Sequence, residues 1–202
     1  MATDSGTLEA KQESHSFIGR LAGFLRFDLA TYDEIAADPA AIFQALAVVV
    51  LAAAAAVVGT LPSHPDTLAM AQRFGGEVGQ WAIFAGLAHF TGITLFRPPR
   101  YPTLVEHVRL FGFAQAPMAL TIFAAVPGLV GNVVPLVGTG ILLVYAVAIF
   151  RASCGFDTRR AVICAVFTYV VATGLILLLE MTSGANLSAL PVGGAGGLGV
   201  TI

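Results

Sequence analysis

The chain has 202 residues, 57% of them hydrophobic and 11% charged, with a mean hydropathy of +0.85. A water-soluble domain of this length has too small an interior to hide so much apolar surface, so the composition points to lipid as the main solvent. A net charge of -2 gives no basic field for nucleic acid, and the two cysteines, Cys154 and Cys164, are too few for a disulfide framework or a zinc site and read as free thiols.

Residues 1–15 are polar and are expected to be disordered. The first forty residues contain no signal-peptide core, twin arginine or lipidation signal, so the first hydrophobic stretch is expected to stay as a membrane anchor. In residues 16–38, Phe17, Leu21, Phe24, Leu25 and Leu29 recur at helical spacing among Arg20, Arg26 and Asp28. This predicts an amphipathic segment that either lies in the membrane interface or packs on the ends of the membrane helices. Thr31 and Glu34 have capping-box spacing and suggest a second short helix.

Four long stretches lack Asp, Glu, Lys and Arg: Pro39 to Ser63, Val78 to Phe96, Leu110 to Phe150 and Ala161 to Leu179. A bilayer core needs about 20 apolar helical residues, so the first, second and fourth each suit one crossing. The third is about twice that length and carries Pro127, Gly128, Gly131, Asn132 and Pro135 near its middle, which reads as two helices and a turn. The expected fold is therefore an all-α bundle of about five transmembrane helices, occupying 39–181, with spans near 41–61, 79–96, 106–126, 133–150 and 161–180. A loose tail, 182–202, follows, rich in glycine near its end, and Glu180 falls at the interface before it.

Helix-start signals fit these limits: Asp38 with Pro39 before the first span, Thr103 with Glu106 before the third, and Asp157 or Thr158 before the fifth. Basic residues set orientation. With five crossings, Lys11, Arg20, Arg26, Arg97, Arg100, Arg109, Arg151, Arg159 and Arg160 share one side, leaving only Arg73 in the first loop on the other. That predicts a cytoplasmic N-terminus and an external C-terminus.

The stretches DEIAADP (33–39), VEHVRLFGFAQAP (105–117) and CGFDTRRA (154–161) resemble the Yip family of five-span membrane proteins, its bacterial branch most of all. The resemblance covers about Thr31 to Leu179 and is most specific at Gly112, Phe113, Gln115 and Pro117. It implies a cytoplasmic N-terminus, clustered spans and, for a bacterial member, the cytoplasmic (inner) membrane. In eukaryotic relatives it implies binding of small Rab-type GTPases, but the acidic Asp-Leu-Tyr-Gly-Pro motif of those relatives is missing here, so GTPase binding is not carried over.

Within that motif, Gly112 permits close helix approach, Gln115 offers an interhelical hydrogen bond and Pro117 frees a carbonyl and kinks the third span. His89, placed near the middle of the second span, is an intramembrane ionisable residue with no charged partner in any expected span interior; its polar neighbours would be Gln115, Asn132, Tyr145, Thr168 or Tyr169. His64 and Asp66 share an outer loop and read as solvated residues. No catalytic, metal-binding or phosphate-binding motif is present, and no cofactor is called for. Ala88 with Gly92, and Ala52 to Ala56, offer small surfaces for packing within or between subunits. Two functions follow as expectations: a non-enzymatic membrane protein acting by assembly with lipid, a protein partner or its own copies, or a small oligomeric transporter or channel with a polar path at His89, Gln115 and Tyr169.

Overall fold

The computed structural model describes residues 16–126 and 129–183, so the expected disordered segment 1–15, Pro127, Gly128 and the tail from 184 onward lie outside the described residues. The side chains of Asn132 and Glu180, both raised by the sequence, lie outside them as well. All regular structure among the described residues is helical: α1 (Phe17–Leu25), α2 (Leu29–Ala37), α3 (Ala41–Thr60), α4 (Thr67–Phe90), α5 (Leu104–Phe113), α6 (Leu129–Cys154) and α7 (Thr158–Ser183). Short 3-10 turns occupy Leu61–Ser63 and Ala116–Ala125, and a π-helical turn, Thr91–Leu95, extends α4.

The solvent these helices are built for is written in their faces. On α3 most buried positions are alanines, Ala41, Ala45, Ala52, Ala53 and Ala56, with Val48 and Val49 beside them, whereas Phe43 is 75% and Leu51 61% exposed. The α7 helix repeats the pattern, with Ala161, Cys164, Ala165 and Ala172 inside and Val162, Ile163, Val166, Phe167 and Val170 outside. Small residues inward and large apolar residues outward is the arrangement of a bundle in hydrocarbon, where burial of apolar surface gives no drive and close backbone contact does. Four helices, α3, α4, α6 and α7, are long and apolar enough to cross a membrane, and the bent pair α5 plus Ala116–Ala125 makes up to five.

Local signals explain most boundaries. Thr103 Oγ1 accepts from the Glu106 N–H at 3.2 Å, the N-cap bond that starts α5, and its hydroxyl donates to Glu106 Oε1 in place of the backbone bond of a full capping box. The start signal at Asp38 and Pro39 is corrected: α3 begins at Ala41 with Ala40 at the cap position and no side-chain cap bond, and Asp38 Oδ1 accepts from the Ala40 N–H at 2.8 Å in the turn before it. For α2 the expected cap is corrected: Asp28, not Thr31, is the N-cap, accepting from Ala30 N–H, and the Thr31 hydroxyl donates to its other oxygen at 2.8 Å. A carboxylate already beside the free amides leaves the threonine a supporting role.

Two expectations about the spans are also corrected. The second span does not begin near residue 79: α4 starts at Thr67, capped by Asp66 through Ala69 N–H, and so carries Arg73 and Glu77 on the helix. The turn expected near the middle of the long apolar stretch does not extend to residue 135, since α6 runs through Gly131, Asn132 and Pro135 as helical backbone. The third span does bend, by 40°, between Phe113 and Ala116. Pro117 has no N–H to return to the Phe113 carbonyl, and the chain continues with tighter bonds such as Met118 N–H to Gln115 O at 2.8 Å.

The α1–α2 pair is fastened to the bundle. Phe24 is fully buried, stacked 4.4 Å from Tyr32 and 5.3 Å from Tyr145, with Phe113 5.9 Å away. Beside it Arg20, 4% exposed, donates to Glu34 at 2.8 Å, Asp38 at 2.7 Å and the Gln44 amide oxygen at 3.1 Å, joining α1 to α2 and to the first turn of α3. Burial opposes the arginine's charge, but the bonds and charges of Glu34 and Asp38 outweigh it and raise its pKa. The Ala40 N–H, and with it Arg20, holds the Asp38 carboxyl below its ordinary value against the opposing effect of burial. Burial raises the Tyr32 phenol, aided by Tyr145.

Candidate functional site

A cleft opens around the centre of α4. Thr67–Leu95 runs as one candidate span, and Trp81 is its central residue, about 21 Å from either end. From α4, Glu77, Gln80 and Trp81 line the cleft together with Gln115 from the bend after α5 and Tyr169 from α7, and it is partly open to its surroundings. Phe84, Phe111, Leu142 and Leu143 supply the apolar wall. Phe84 and Phe111 meet edge to face at 5.4 Å, which fixes that wall.

The position of Gln115 follows from the bend. Gly112 brings α5 against α3 so closely that a Cβ on it would lie 2.6 Å from the Cβ of Ala45. The helix then breaks at Ala114 and Gln115, which places Gln115 at the cleft rather than further along a straight helix.

Glu77 and Arg73 form an ion pair at 2.6 Å, one helical turn apart, with side chains only 11% and 13% exposed. An intramembrane pair of this kind is costly to bury and is kept where it serves the site or is shielded from lipid. The indole Nε1 of Trp81 is buried and has no partner among the described residues, although the residue as a whole is 8% exposed. The cleft therefore presents the unused Trp81 donor, two amides, the Thr139 hydroxyl, a phenol and the carboxylate of the Arg73–Glu77 pair against aromatic and aliphatic walls.

His89 is not part of this cleft. It lies in the last turn of α4, beside His107 of α5, with ring centroids 5.3 Å apart and edge to face. The sequence placed it mid-span because the span was cut short at residue 79. His107, fully buried, faces Ser153 at 3.0 Å. Since the Ser153 hydroxyl donates to the Ile149 carbonyl at 2.8 Å, the histidine Nε2 carries the proton in that bond and Nδ1 is an acceptor without a partner among the described residues. Cys154 Sγ, 3.8 Å from the same Nε2, completes a buried neutral cluster, and among the described residues no group of three His, Cys, Asp or Glu side chains is placed to hold a metal ion.

Of the six residues singled out by sequence, Gln115 and Tyr169 meet in the cleft. Gly112 sits against Ala45 and Phe113 is buried beneath Phe17 and Phe24 of α1. Pro117 lies buried in the first turn of the Ala116–Ala125 segment. His64 is an exposed left-handed residue ending a turn, and Asp66 is spent on the α4 cap. Sequence reasoning passed over Glu77, Trp81, His107 and the buried Arg20. The signal for Glu77 was its place four residues after Arg73, a helical ion-pair spacing that lets the span extend through both charges.

No protein-family model matches the chain, and no curated protein and no solved structure matches it.

Proposed function

We propose that this chain is a Yip-type integral membrane protein that crosses the bilayer five times and acts without catalysis, through contacts made by its N-terminal α1–α2 module at the cytoplasmic face. Five crossings are supported by the meeting of two loops: Arg100 N–H bonds the Cys154 carbonyl at 3.2 Å, and Arg160 donates to the carbonyls of Phe96 and Arg97. The α6 helix leads about 39 Å away from Cys154, so the chain leaving Arg100 has to cross through the bent α5 segment to reach its start. The same contacts, with Arg20 on Asp38 and Arg109 on the Asp38 carbonyl, gather the arginines at one end, which favours a cytoplasmic assignment for that end. The membrane is taken as the bacterial inner membrane on the resemblance alone.

The observation that carries the assembly reading is the Arg20 clamp. It fixes α1 and α2 while Ile18, 75% exposed, and Leu25, Phe27 and Leu29 remain outward. A rigid apolar edge beside an arginine-rich face suits a lipid surface or an amphipathic segment of another protein. Deleting the module would uncover Phe113 and Tyr145, so the test is Ile18→Asp with Leu29→Asp. Crosslinked capture of a partner from native membranes should fall severalfold while membrane insertion is unchanged; undiminished capture would sink the reading.

The transporter or channel reading is favoured by one observation, the joining of Gln115 and Tyr169 with Glu77 in the central cleft. Its polar path then runs through Glu77 rather than His89. Reconstituted vesicles carrying Glu77→Gln should show altered solute or ion flux against the unsubstituted protein, and vesicles inert to all solutes would rule it out.

A further inference from the structure

We infer that the central cleft is a binding site for a neutral, lipid-soluble quinone. The inference is independent of how the α1–α2 module is used. A buried donor without an acceptor costs about 1–3 kcal/mol, and the Trp81 indole N–H is such a donor on the cleft wall. An occupant that satisfies it must bring an acceptor oxygen.

Depth narrows the class. Trp81 is the middle residue of the Thr67–Leu95 span, whereas the ester carbonyls of bilayer lipids sit at the interface, about 15 Å from the centre. The acceptor therefore belongs to a molecule that dissolves in the hydrocarbon itself. Charge narrows it again, because Glu77 is paired with Arg73 at 2.6 Å and the other polar groups, Gln80, Gln115, Thr139 and Tyr169, are uncharged amides, a hydroxyl and a phenol. An anion or a cation would find no counter-charge free to meet it.

Shape completes the assignment. A quinone ring is flat and carries two carbonyl oxygens on opposite edges, matching donors that come from different helices: the Trp81 indole of α4, the Gln115 amide after α5 and the Tyr169 phenol of α7. The aromatic wall of Phe84 and Phe111 offers an apolar surface on which the ring can lie.

The test uses full-length protein in phosphatidylcholine nanodiscs with decylubiquinone as probe. Trp81 is the single tryptophan of the chain, so its fluorescence reports the site directly. Saturable quenching together with a rise in melting temperature is expected. Trp81→Phe keeps the ring and removes the donor, and should weaken the thermal response about tenfold in probe concentration. Leu143→Phe, which fills the cleft without touching a polar group, should weaken both signals similarly. Quenching that rises linearly with probe and brings no thermal shift marks partition into lipid and overturns the inference. So does an equal saturable response to dioleoylglycerol, which would assign the cleft to acyl esters, or an unchanged response in both variants.

Discussion

Gly112 of α5 packs so closely on Ala45 of α3 that a methyl group added to the glycine would lie 2.6 Å from the Ala45 Cβ and 3.2 Å from its backbone. This contact sets the separation of the two helices and, through the bend that follows, the place of Gln115. Overpacking of a tight contact costs about 1–3 kcal/mol. Gly112→Val should therefore lower the thermal unfolding midpoint in detergent by several degrees, and paired with Ala45→Gly it should recover part of the loss. An unchanged midpoint for Gly112→Val would mean that α3 and α5 separate freely.

The Arg73–Glu77 pair makes a test by double substitution. Removing one member of a buried pair costs about 3–5 kcal/mol because the other charge is stranded, whereas replacing both with apolar groups is often neutral. Glu77→Met should destabilise strongly in equilibrium unfolding and Arg73→Met/Glu77→Met should restore most of the loss. Equal stability of the single and double variants would show the pair to be solvated.

Arg20 and Asp38 give the molecule a pH dependence. The Asp38 carboxyl titrates below its ordinary value of 3.8 in the folded protein, so the stabilisation it lends to the α1–α2 module is complete above that value and lost as pH falls through and below it. A nitroxide label at Ile18 should be held at pH 7 and become more mobile towards pH 3. In Arg20→Gln the docking weakens by about 1.5–3 kcal/mol, the worth of hydrogen bonds to charged groups, and the label should be mobile at both pH values.

Cys154 and Cys164 are both fully buried in the bundle. A membrane-permeant maleimide should leave them unmodified in the folded protein and react with both after denaturation in SDS. Rapid labelling of either in intact membranes would contradict the packing of α6 against α7.

Much of the architecture was legible in the sequence because hydrocarbon imposes few choices. A charge-free stretch of about 20 residues has one use, and the N-cap pair of Thr103 and Glu106 and the helix start after Asp157 sit where their spacing puts them. The bend near Pro117 was equally readable, since a missing N–H has a local consequence. What escaped was tertiary. Cutting spans at charges hid Arg73 and Glu77, which satisfy each other along one helix face and so need no loop. His107 escaped because it stands three residues into α5, near charged neighbours, and only the approach of α4 and α6 buries it against His89 and Ser153. Arg20 was read as a surface charge on an amphipathic helix, since its partners Glu34, Asp38 and Gln44 come from two later elements.

The five-crossing bundle is tested most directly by side-specific labelling of single cysteines placed in a Cys154→Ala/Cys164→Ala background. Probes at Ser63, Pro99 and Asp157 sample the loops after α3, α4 and α6. The account predicts that Pro99→Cys and Asp157→Cys label from the same face of sealed membrane vesicles and Ser63→Cys from the opposite face. Labelling of Pro99→Cys and Asp157→Cys from opposite faces would mean that the bent α5 segment turns back within the bilayer, and would contradict the account.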